Sequence, residues 1–596
     1  MLKELVKKYL KYFAFYYKRL RWRIFLLLGI STLVALLDGI GLTLFIPMFE
    51  HAENMASAKE DMGQMSFIID VLDYLHVPKS IGGILLFMLL LFVVKGVFKY
   101  FERFYSVILR VSFARQLRLG LVNGITNLSY KGFLGLDAGK LQNVITGEIG
   151  KSVAAFTNYF TALQTGVTLI AYLSLAFASN FQFALLIPVS GLLSQFIYQV
   201  FYKMVESTSY LQSLQGHGLQ SNVIQTVAHF KFLKATGLVK PYSRFLKNNV
   251  EEVERLSKRM GKLNAISTAM REPIIIIASV IFIQVDLLGS SITSIILPLI
   301  FFYRSLTNLM QVQTAWQSFL TSSGGIASVD EMYAEFKAIA EPSQSKEKID
   351  FKDEIKLRDV SFSYNSKEAK QTLSKVNLSV KKYSTIAFVG ESGSGKTTLI
   401  NLIAGLLQPT SGTISVDDIE ITDRRLAVYR NKIGYITQEP VIFNDTLYNN
   451  ITFWQEKTPE NEARFWEVLK QTALFDFVKG LADQENIQLG DNGILISGGQ
   501  KQRISIAREL YRSCEILLMD EATSALDSET EKIIQESTTA LKGKLTILII
   551  AHRLSTVKEA DIIYLLDQGE VVASGSFNDL QNSSERFKRM VALQEF

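Results

Sequence analysis

One cysteine stands among 596 residues. The chain therefore cannot close an intrachain disulfide, and it has no Cys-x2-Cys cluster for a structural zinc. That thiol, Cys514, precedes the apolar run Ile516–Met519 and reads as a buried structural side chain. The five histidines are scattered with no H-x3-H pair, so a histidine-built metal centre is not expected. Positive charge is in small excess, 63 Lys and Arg against 57 Asp and Glu. The basic residues gather beside apolar runs, where lipid head groups rather than nucleic acid are the expected counter-charge. Nothing near Met1 resembles a cleavable signal peptide, because the first apolar run is too long and lacks a small-residue cleavage site.

What is abundant is hydrophobicity. Mean hydropathy is +0.19 and 11% of residues are aromatic, with the excess lying before residue 325. Six stretches are long enough to cross a bilayer as helices: Ile24–Phe49, Ile81–Phe101, Phe156–Ala178, Phe181–Phe201, Ile266–Ile283 and Ile292–Leu309. Gln284 to Ser291 suits a tight turn. Met1 to Arg23 holds eight Lys or Arg against one Glu, and the Glu50–Ser80 loop holds two Lys against six acids. The positive-inside rule then puts the N-terminus in the cytoplasm and that loop outside. Long polar helical segments lie between the second and third spans, at about 102–155, and between the fourth and fifth, at about 202–263.

The densest motif lies further on. Gly390-Glu391-Ser392-Gly393-Ser394-Gly395-Lys396-Thr397 fits G-x-x-x-x-G-K-[ST]. It follows the apolar run Thr385 to Val389 and precedes Thr398, Leu399 and Ile400, so it joins a strand to a helix. Glycines let the backbone curl until its N–H groups meet phosphate oxygens, and the helix adds its positive N-terminus. Lys396 is placed to reach the β- and γ-phosphates of a nucleotide, and the Thr397 hydroxyl to hold Mg²⁺.

Further groups follow in a fixed order: Tyr364 in Val-Ser-Phe-Ser-Tyr, then Gln438, then Ser497-Gly498-Gly499-Gln500 after Ile496. Next come Ile516 to Asp520 and Glu521, Ser524-Ala525-Leu526-Asp527, and His552. With these the chain resembles the ATP-binding cassette (ABC) family. The resemblance implies that Tyr364 stacks on adenine and that Gln438 touches Mg²⁺ and the attacking water. It puts Asp520 in the metal shell, Glu521 on the water as general base or orienting group, and His552 on the γ-phosphate. On this reading the catalytic set is Glu521, His552, Gln438 and Lys396, and the Mg²⁺ set is Thr397, Gln438 and Asp520. ATP is bound by Tyr364, Gly390, Glu391, Ser392, Gly393, Ser394, Gly395, Lys396, Thr397, Thr398, Ser497, Gly498, Gly499, Gln500 and Asp527.

Gln500 to Arg508 has helical spacing, and Ser497 with its glycines starts that helix as a second anion-binding end. In the resembled family this end caps the ATP of a second cassette. The chain carries one cassette, so it is expected to pair with another chain. The catalytic positions are intact, which favours a homodimer. Closure over two ATPs would then drive a membrane gate from inward- to outward-facing.

The expected fold is multidomain: an all-α six-helix transmembrane domain (1–325), a linker (326–350) and an α/β P-loop nucleotide-binding domain (351–596). In the resembled exporters each polar extension ends in a transverse helix that meets a cassette. Candidates are Leu134–Leu141 and a segment near Asn222–His229. Charges stand inside apolar spans at Asp38 and Arg304. A mid-bilayer charge costs about 2.5–3.5 kcal/mol and normally faces a partner or a cavity. Either the two pair or snorkel to the interface, or Arg304 meets an anionic head group with Asp38 tuning it. The stretches around Leu37-Asp38-Gly39-Ile40-Gly41 and Phe302-Tyr303-Arg304-Ser305-Leu306 look similar to bacterial flippases of lipid-linked oligosaccharides. Lipid A-core flippases and multidrug exporters share the architecture. The expectation is ATP-driven export or flipping of a lipid-like or amphipathic substrate across a bacterial inner membrane. The alternatives are an ATP-gated channel or regulator on the same frame, or half of a heterodimeric multidrug exporter. Soluble cassettes and importers fit the membrane-first layout less well. No peptidase domain for leader peptides is expected.

Overall fold

The computed structural model describes residues 12–44, 72–78, 80–179, 181–286, 292–342, 347, 349–364, 371–520, 532, 535–536, 538–551 and 557–592. The chain divides into two compact units, Met1–Leu128 with Gly135–Ile339 and Ser129–Leu134 with Ala340–Phe596.

The described part of the first unit is helical. The helices Arg23–Thr43, Ile81–Thr126, Ile149–Ser179, Phe181–Ala228, Val239–Asp286 and Ile292–Ala338 contain the described residues of the six stretches expected as spans. The end of the first span, to Phe49, lies outside the described residues. Among the described residues, Arg23–Thr43, Ile81–Thr126 and Ala138–Ala178 are long and apolar enough to cross a membrane. Ser80 starts the second of these by accepting from Gly83 N at 3.2 Å. Beyond that cap Leu86, Leu89, Leu90 and Val93 are 57–68% exposed. So continuous an apolar surface suits lipid tails rather than water.

An aromatic cluster binds the membrane unit together. Tyr16 is fully buried and stands edge-on to Phe113 and Phe156, 5.5 Å from each, while Phe113 stacks on Phe156 at 4.9 Å. Each such pair adds about 0.5–1.5 kcal/mol beyond area burial. The cluster fixes the helix at 12–20 against two long helices.

The helices outrun the bilayer. Phe181–Ala228 spans 48 residues and Ile292–Ala338 spans 47, about 70 Å each against a hydrocarbon core of about 30 Å. The expected element Leu134–Leu141 falls on a joint between Tyr130–Leu134 and Ala138–Asn143. Asp137 caps the latter by accepting from Gly139 N at 2.7 Å and Lys140 N at 3.1 Å. Gly135 and Asp137 thus form the break between the two helices. The segment near Asn222–His229 is mostly the end of the long Phe181–Ala228 helix, and the next short helix is Phe230–Ala235. The Ile292–Ala338 helix also passes residue 325 unbroken, so the segment expected as a linker begins as helix. Gly324 and Gly325 are packing positions there: a Cβ would stand 2.6 Å from Ser209 O or 2.7 Å from Glu148 O.

The described residues of the second unit hold two sheets. One is antiparallel, in the order β2-β1-β4-β5: β1 Glu354–Phe362, β2 Leu373–Lys381, β4 Ser411–Val416 and β5 Ile419–Glu420. The other runs β10-β9-β3-β8-β7-β6: β3 Thr385–Val389, β6 Ile433–Ile436, β7 Ile516–Asp520, β8 Thr546–Ile550, β9 Ile562–Asp567 and β10 Glu570–Gly575. Its strands are parallel except for the edge strand β10. Parallel strands covered on both faces read as continuous apolar runs, and β3 and β8 are buried at every position. The short Tyr130–Leu134 helix belongs to this unit, with Tyr130 against its core and Lys131 Nζ 5.6 Å from the Phe362 ring centroid. Cys514 is buried, as expected, and burial pushes its thiol up to about 12.

Gly139 tests the packing of the first unit, since a Cβ there would lie 2.2 Å from the Ser221 backbone Cα. Gly139→Ala is expected to cost about 1–3 kcal/mol, read as a lower melting temperature in detergent. An unchanged melting temperature would show that the two segments do not meet.

Candidate functional site

β3 delivers the glycine-rich loop. It pairs with β8 on one side and β9 on the other, so the loop leaves Val389 from a fixed point. Gly390 passes so close to the β9 end that a Cβ would lie 2.2 Å from Leu566 O. Gly395, at φ 101°, turns the chain into the Lys396–Ile403 helix. The turn after β9 leans on the loop from outside, with Gly569 N donating to Ser394 O at 3.2 Å. Lys396 is buried and donates to Gly390 O at 2.8 Å and Glu391 O at 2.9 Å, so its ammonium is held inside the curl of the loop. Thr397 is exposed and Thr398 buried. The Tyr364 hydroxyl lies 3.3 Å from Thr398 Oγ1, and its ring stands edge-on to Phe362 at 4.9 Å.

The structure thus brings Tyr364, Gly390 to Gly395, Lys396, Thr397 and Thr398 to one edge of the sheet. Asp520 ends β7, two strands from β3, in register with Ile550 of β8. Tyr435 in β6 connects them: its hydroxyl lies 3.3 Å from Asn401 Oδ1 and is hydrogen-bonded to Asp520. Burial first, and then the Asp520 charge, push the phenol pKa up, so it stays protonated. Tyr435 and Asn401 were missed in the sequence. Both look like ordinary core positions, and only pairing across the sheet reveals the link. Gln438 is exposed, two residues beyond β6.

Ser497 starts the Gly498–Tyr511 helix with a capping box: Ser497 Oγ accepts from Gln500 N at 3.3 Å, and Ser497 N donates to Gln500 Oε1 at 2.8 Å. Arg508 holds the far part of this helix, donating to Asn450 O at 2.7 Å and Val441 O at 2.9 Å. Ser497 and Gly498 are exposed. Glu521, Asp527 and His552 lie outside the described residues. Beside the glycine-rich loop is a cavity of about 340 Å³, lined by Gln371, Thr372, Glu391 to Ser394, Asp567, Gln568 and Arg586.

Within the first unit, Asp38 does not pair with Arg304. Its carboxylate accepts from the Lys95 ammonium and the Tyr172 hydroxyl, and Arg304 is exposed. Lys95 lies in the second span and was passed over in the sequence because two Lys, 95 and 99, barely alter a long apolar run. Once the Arg23–Thr43 helix packs on Ile81–Thr126, Lys95 is the nearest cation. A second polar group follows at Glu102, which accepts from Ser31 Oγ at 2.7 Å and Gln164 Nε2 at 3.0 Å and pairs with Lys99 at 2.6 Å.

A P-loop at the carboxyl edge of a parallel sheet, preceded by apolar helices long enough to cross a membrane, defines a membrane-embedded P-loop ATPase. Comparison with known proteins makes the class specific. Residues 373–524 match the family model described as ABC transporter, and residues 28–313 match the ABC transporter transmembrane region. An ATP-dependent lipid A-core flippase of Syntrophus aciditrophicus is 30% identical over 517 residues, 85% of this chain and 84% of that one. An ABC multidrug transporter of Aspergillus fumigatus is 41% identical over 241 residues, 40% of this chain and 18% of that one. A solved structure of a bacterial Atm1-family ABC exporter with ATP bound shares the fold, with a TM-score of 0.80 over 97% of this chain and 99% of that one at 21% identity. The chain belongs to the ABC transporter family. It is an exporter-type half-transporter, a multi-pass membrane protein that binds ATP and couples its hydrolysis to transport.

Gly390→Ala is expected to strain the loop against Leu566 O and weaken ATP binding at least about tenfold, measured with a fluorescent ATP analogue. Parent-like affinity would show that the loop is not held at that distance.

Proposed function

We propose that two copies of this chain form one transporter in a bacterial inner membrane, and that it flips a lipid-like amphipathic substrate between leaflets. The N-terminus and the cassettes lie in the cytoplasm. The observation that carries this reading is the match to a lipid A-core flippase over 85% of the chain, membrane half included. The membrane half is where a substrate is chosen, so a match confined to the cassette would not carry it. Within the six expected spans four cations, Lys95, Lys99, Arg271 and Arg304, stand against two carboxylates, Asp38 and Glu272, which favours an anionic head group on the substrate.

The residues of the cassette divide the work. Tyr364 stacks on adenine. The N–H groups of Gly390 to Thr398 surround the phosphates, and Lys396 exchanges its two carbonyl partners for β- and γ-phosphate oxygens. The donor set fits Mg²⁺, a hard cation that takes oxygen ligands: an exposed Thr397 hydroxyl, the Asp520 carboxylate at a strand end and the Gln438 amide oxygen. Bound Mg²⁺ offsets charge on the β- and γ-phosphates. Glu521 orients the attacking water and takes its proton, and His552 holds Glu521 and the γ-phosphate. Ser497, Gly498, Gly499 and Gln500 of one copy, with Asp527 nearby, close over the ATP of the other.

The test is reconstitution in vesicles carrying a fluorescent anionic lipid. ATP with Mg²⁺ is expected to move the lipid between leaflets, and the protein mass after detergent correction is expected to be twice 67.1 kDa. Glu521→Gln is expected to bind ATP and lose turnover by about 100-fold or more. A monomeric mass would overturn the homodimer. Active ATPase without lipid movement would overturn the substrate class. Turnover at a tenth of the parent rate would remove Glu521 from catalysis.

A further inference from the structure

Arg586 lies outside every motif of the cassette, in the Glu585–Ala592 helix. That helix is anchored by Phe587 and Val591, both buried in the core that backs the parallel sheet, and Phe577 meets the Phe587 ring edge-on at 5.5 Å. The anchor leaves the Arg586 side chain over the glycine-rich loop. Its guanidinium forks: Nη1 pairs with the Asp567 carboxylate, and Nη2 donates to Glu391 Oε1 at 3.1 Å. Asp567 ends β9, whose following turn already supports the loop through Gly569 N and Ser394 O. Arg586 therefore spans the loop and its support.

Glu391 is the second residue of the loop and is 69% exposed. A carboxylate there stands beside the ground that a polyphosphate occupies, and uncompensated it repels the nucleotide. We infer that Arg586 is a positioning residue for ATP: it neutralises Glu391 and ties the loop to the β9 end, so that the loop receives phosphate without a competing negative charge. The inference rests on ATP binding at this loop. It assigns Arg586 no contact with the nucleotide.

The sign of the effect separates charge compensation from mere anchoring. Arg586→Gln is expected to raise KM for ATP about two- to fivefold at low ionic strength, the range of an exposed ion pair, with kcat moving less than KM. The rise is expected to shrink in about 0.5 M salt, where charges are screened within a few ångströms. Arg586→Lys is expected to restore most of the loss. Adding Glu391→Gln to Arg586→Gln is expected to bring KM back towards the parent value, because the repelling charge is gone. An unchanged KM in Arg586→Gln overturns the inference, as does a rise that neither salt nor Glu391→Gln relieves. Should Arg586→Gln not fold, Glu391→Gln alone decides: KM is expected to fall at low salt, and a constant or higher KM overturns the inference. Absence of ATPase in the parent protein would instead remove the underlying reading of the loop.

Discussion

Thr385 to Val389 pair with Ile547–Ile550 of β8 and with Ile562–Leu565 of β9, so the loop that leaves Val389 is fixed on both flanks. A strand in the middle of a parallel sheet cannot shift register without moving its neighbours. The N–H groups that cradle phosphate must stay aimed while the nucleotide comes and goes, and they inherit that rigidity. The same pairing places Asp520 on the same edge, because β7 runs parallel to β8 and carries its carboxylate at the same end. Ligands of open α/β sheets gather at this carboxyl edge for that reason. Tyr435 adds a side-chain tie between two elements that backbone pairing had already aligned. Without the sheet, the six residues from Gly390 to Gly395 would be a mobile glycine-rich turn.

The membrane unit answers a different constraint. Its helices lie in or beside hydrocarbon, where an unpaired charge is costly, and three of its carboxylates are found among partners. Asp38 has Lys95 and Tyr172, and Glu102 has Ser31, Lys99 and Gln164. Further along, Glu148, 1% exposed, accepts from Ser213 Oγ and Lys151 Nζ, both at 2.8 Å. Ser31 and Asp38 are seven residues apart on one helix, about 10 Å, so polar ties recur along packed helices. Removing one member of such a group strands the others, at a cost of about 3–5 kcal/mol for a buried pair. Such groups fix which helix faces which, a job that apolar side chains do weakly when lipid is just as apolar.

What could be read in the sequence follows from how each feature is encoded. The phosphate loop needs glycines at set intervals, because backbone geometry allows no substitute, and the spans need apolar runs of bilayer length; both are local and both were legible. Lys95, Tyr172, Tyr435 and Asn401 are not local. Each looks ordinary in its own segment and becomes a partner only when two elements pack. The Asp38–Arg304 pairing failed for that reason, since sequence distance gave no ranking of candidate cations. The segment Leu134–Leu141 holds a break between two short helices, and the segment near Asn222–His229 runs to the end of a long one. Breakers such as Asp137 mark a joint but do not say which side of it the helix occupies. The boundary expected at residue 325 falls inside the Ile292–Ala338 helix, where Gly324 and Gly325 sit in close contact with Ser209 and Glu148.

The Ser497 capping box bears on how ATP could do mechanical work. It satisfies the N–H groups of Ser497 and Gln500. The first-turn N–H groups of Gly498 and Gly499 have no acceptor within their own helix, and the dipole there favours an anion. In the proposed dimer a phosphate reaches these donors only when two cassettes close. ATP would then bind the closed arrangement more tightly than the open one. A ligand shifts a balance only by that difference, and moving it from 1:99 to 99:1 takes about 5.5 kcal/mol. Two nucleotides, each gaining charge-assisted hydrogen bonds of about 1.5–3 kcal/mol, reach that figure from a few donors apiece. In that dimer the Gly498–Tyr511 helix would supply what the phosphate loop alone cannot. The loop of one chain would bind ATP in either arrangement, and binding that is equal in both moves nothing.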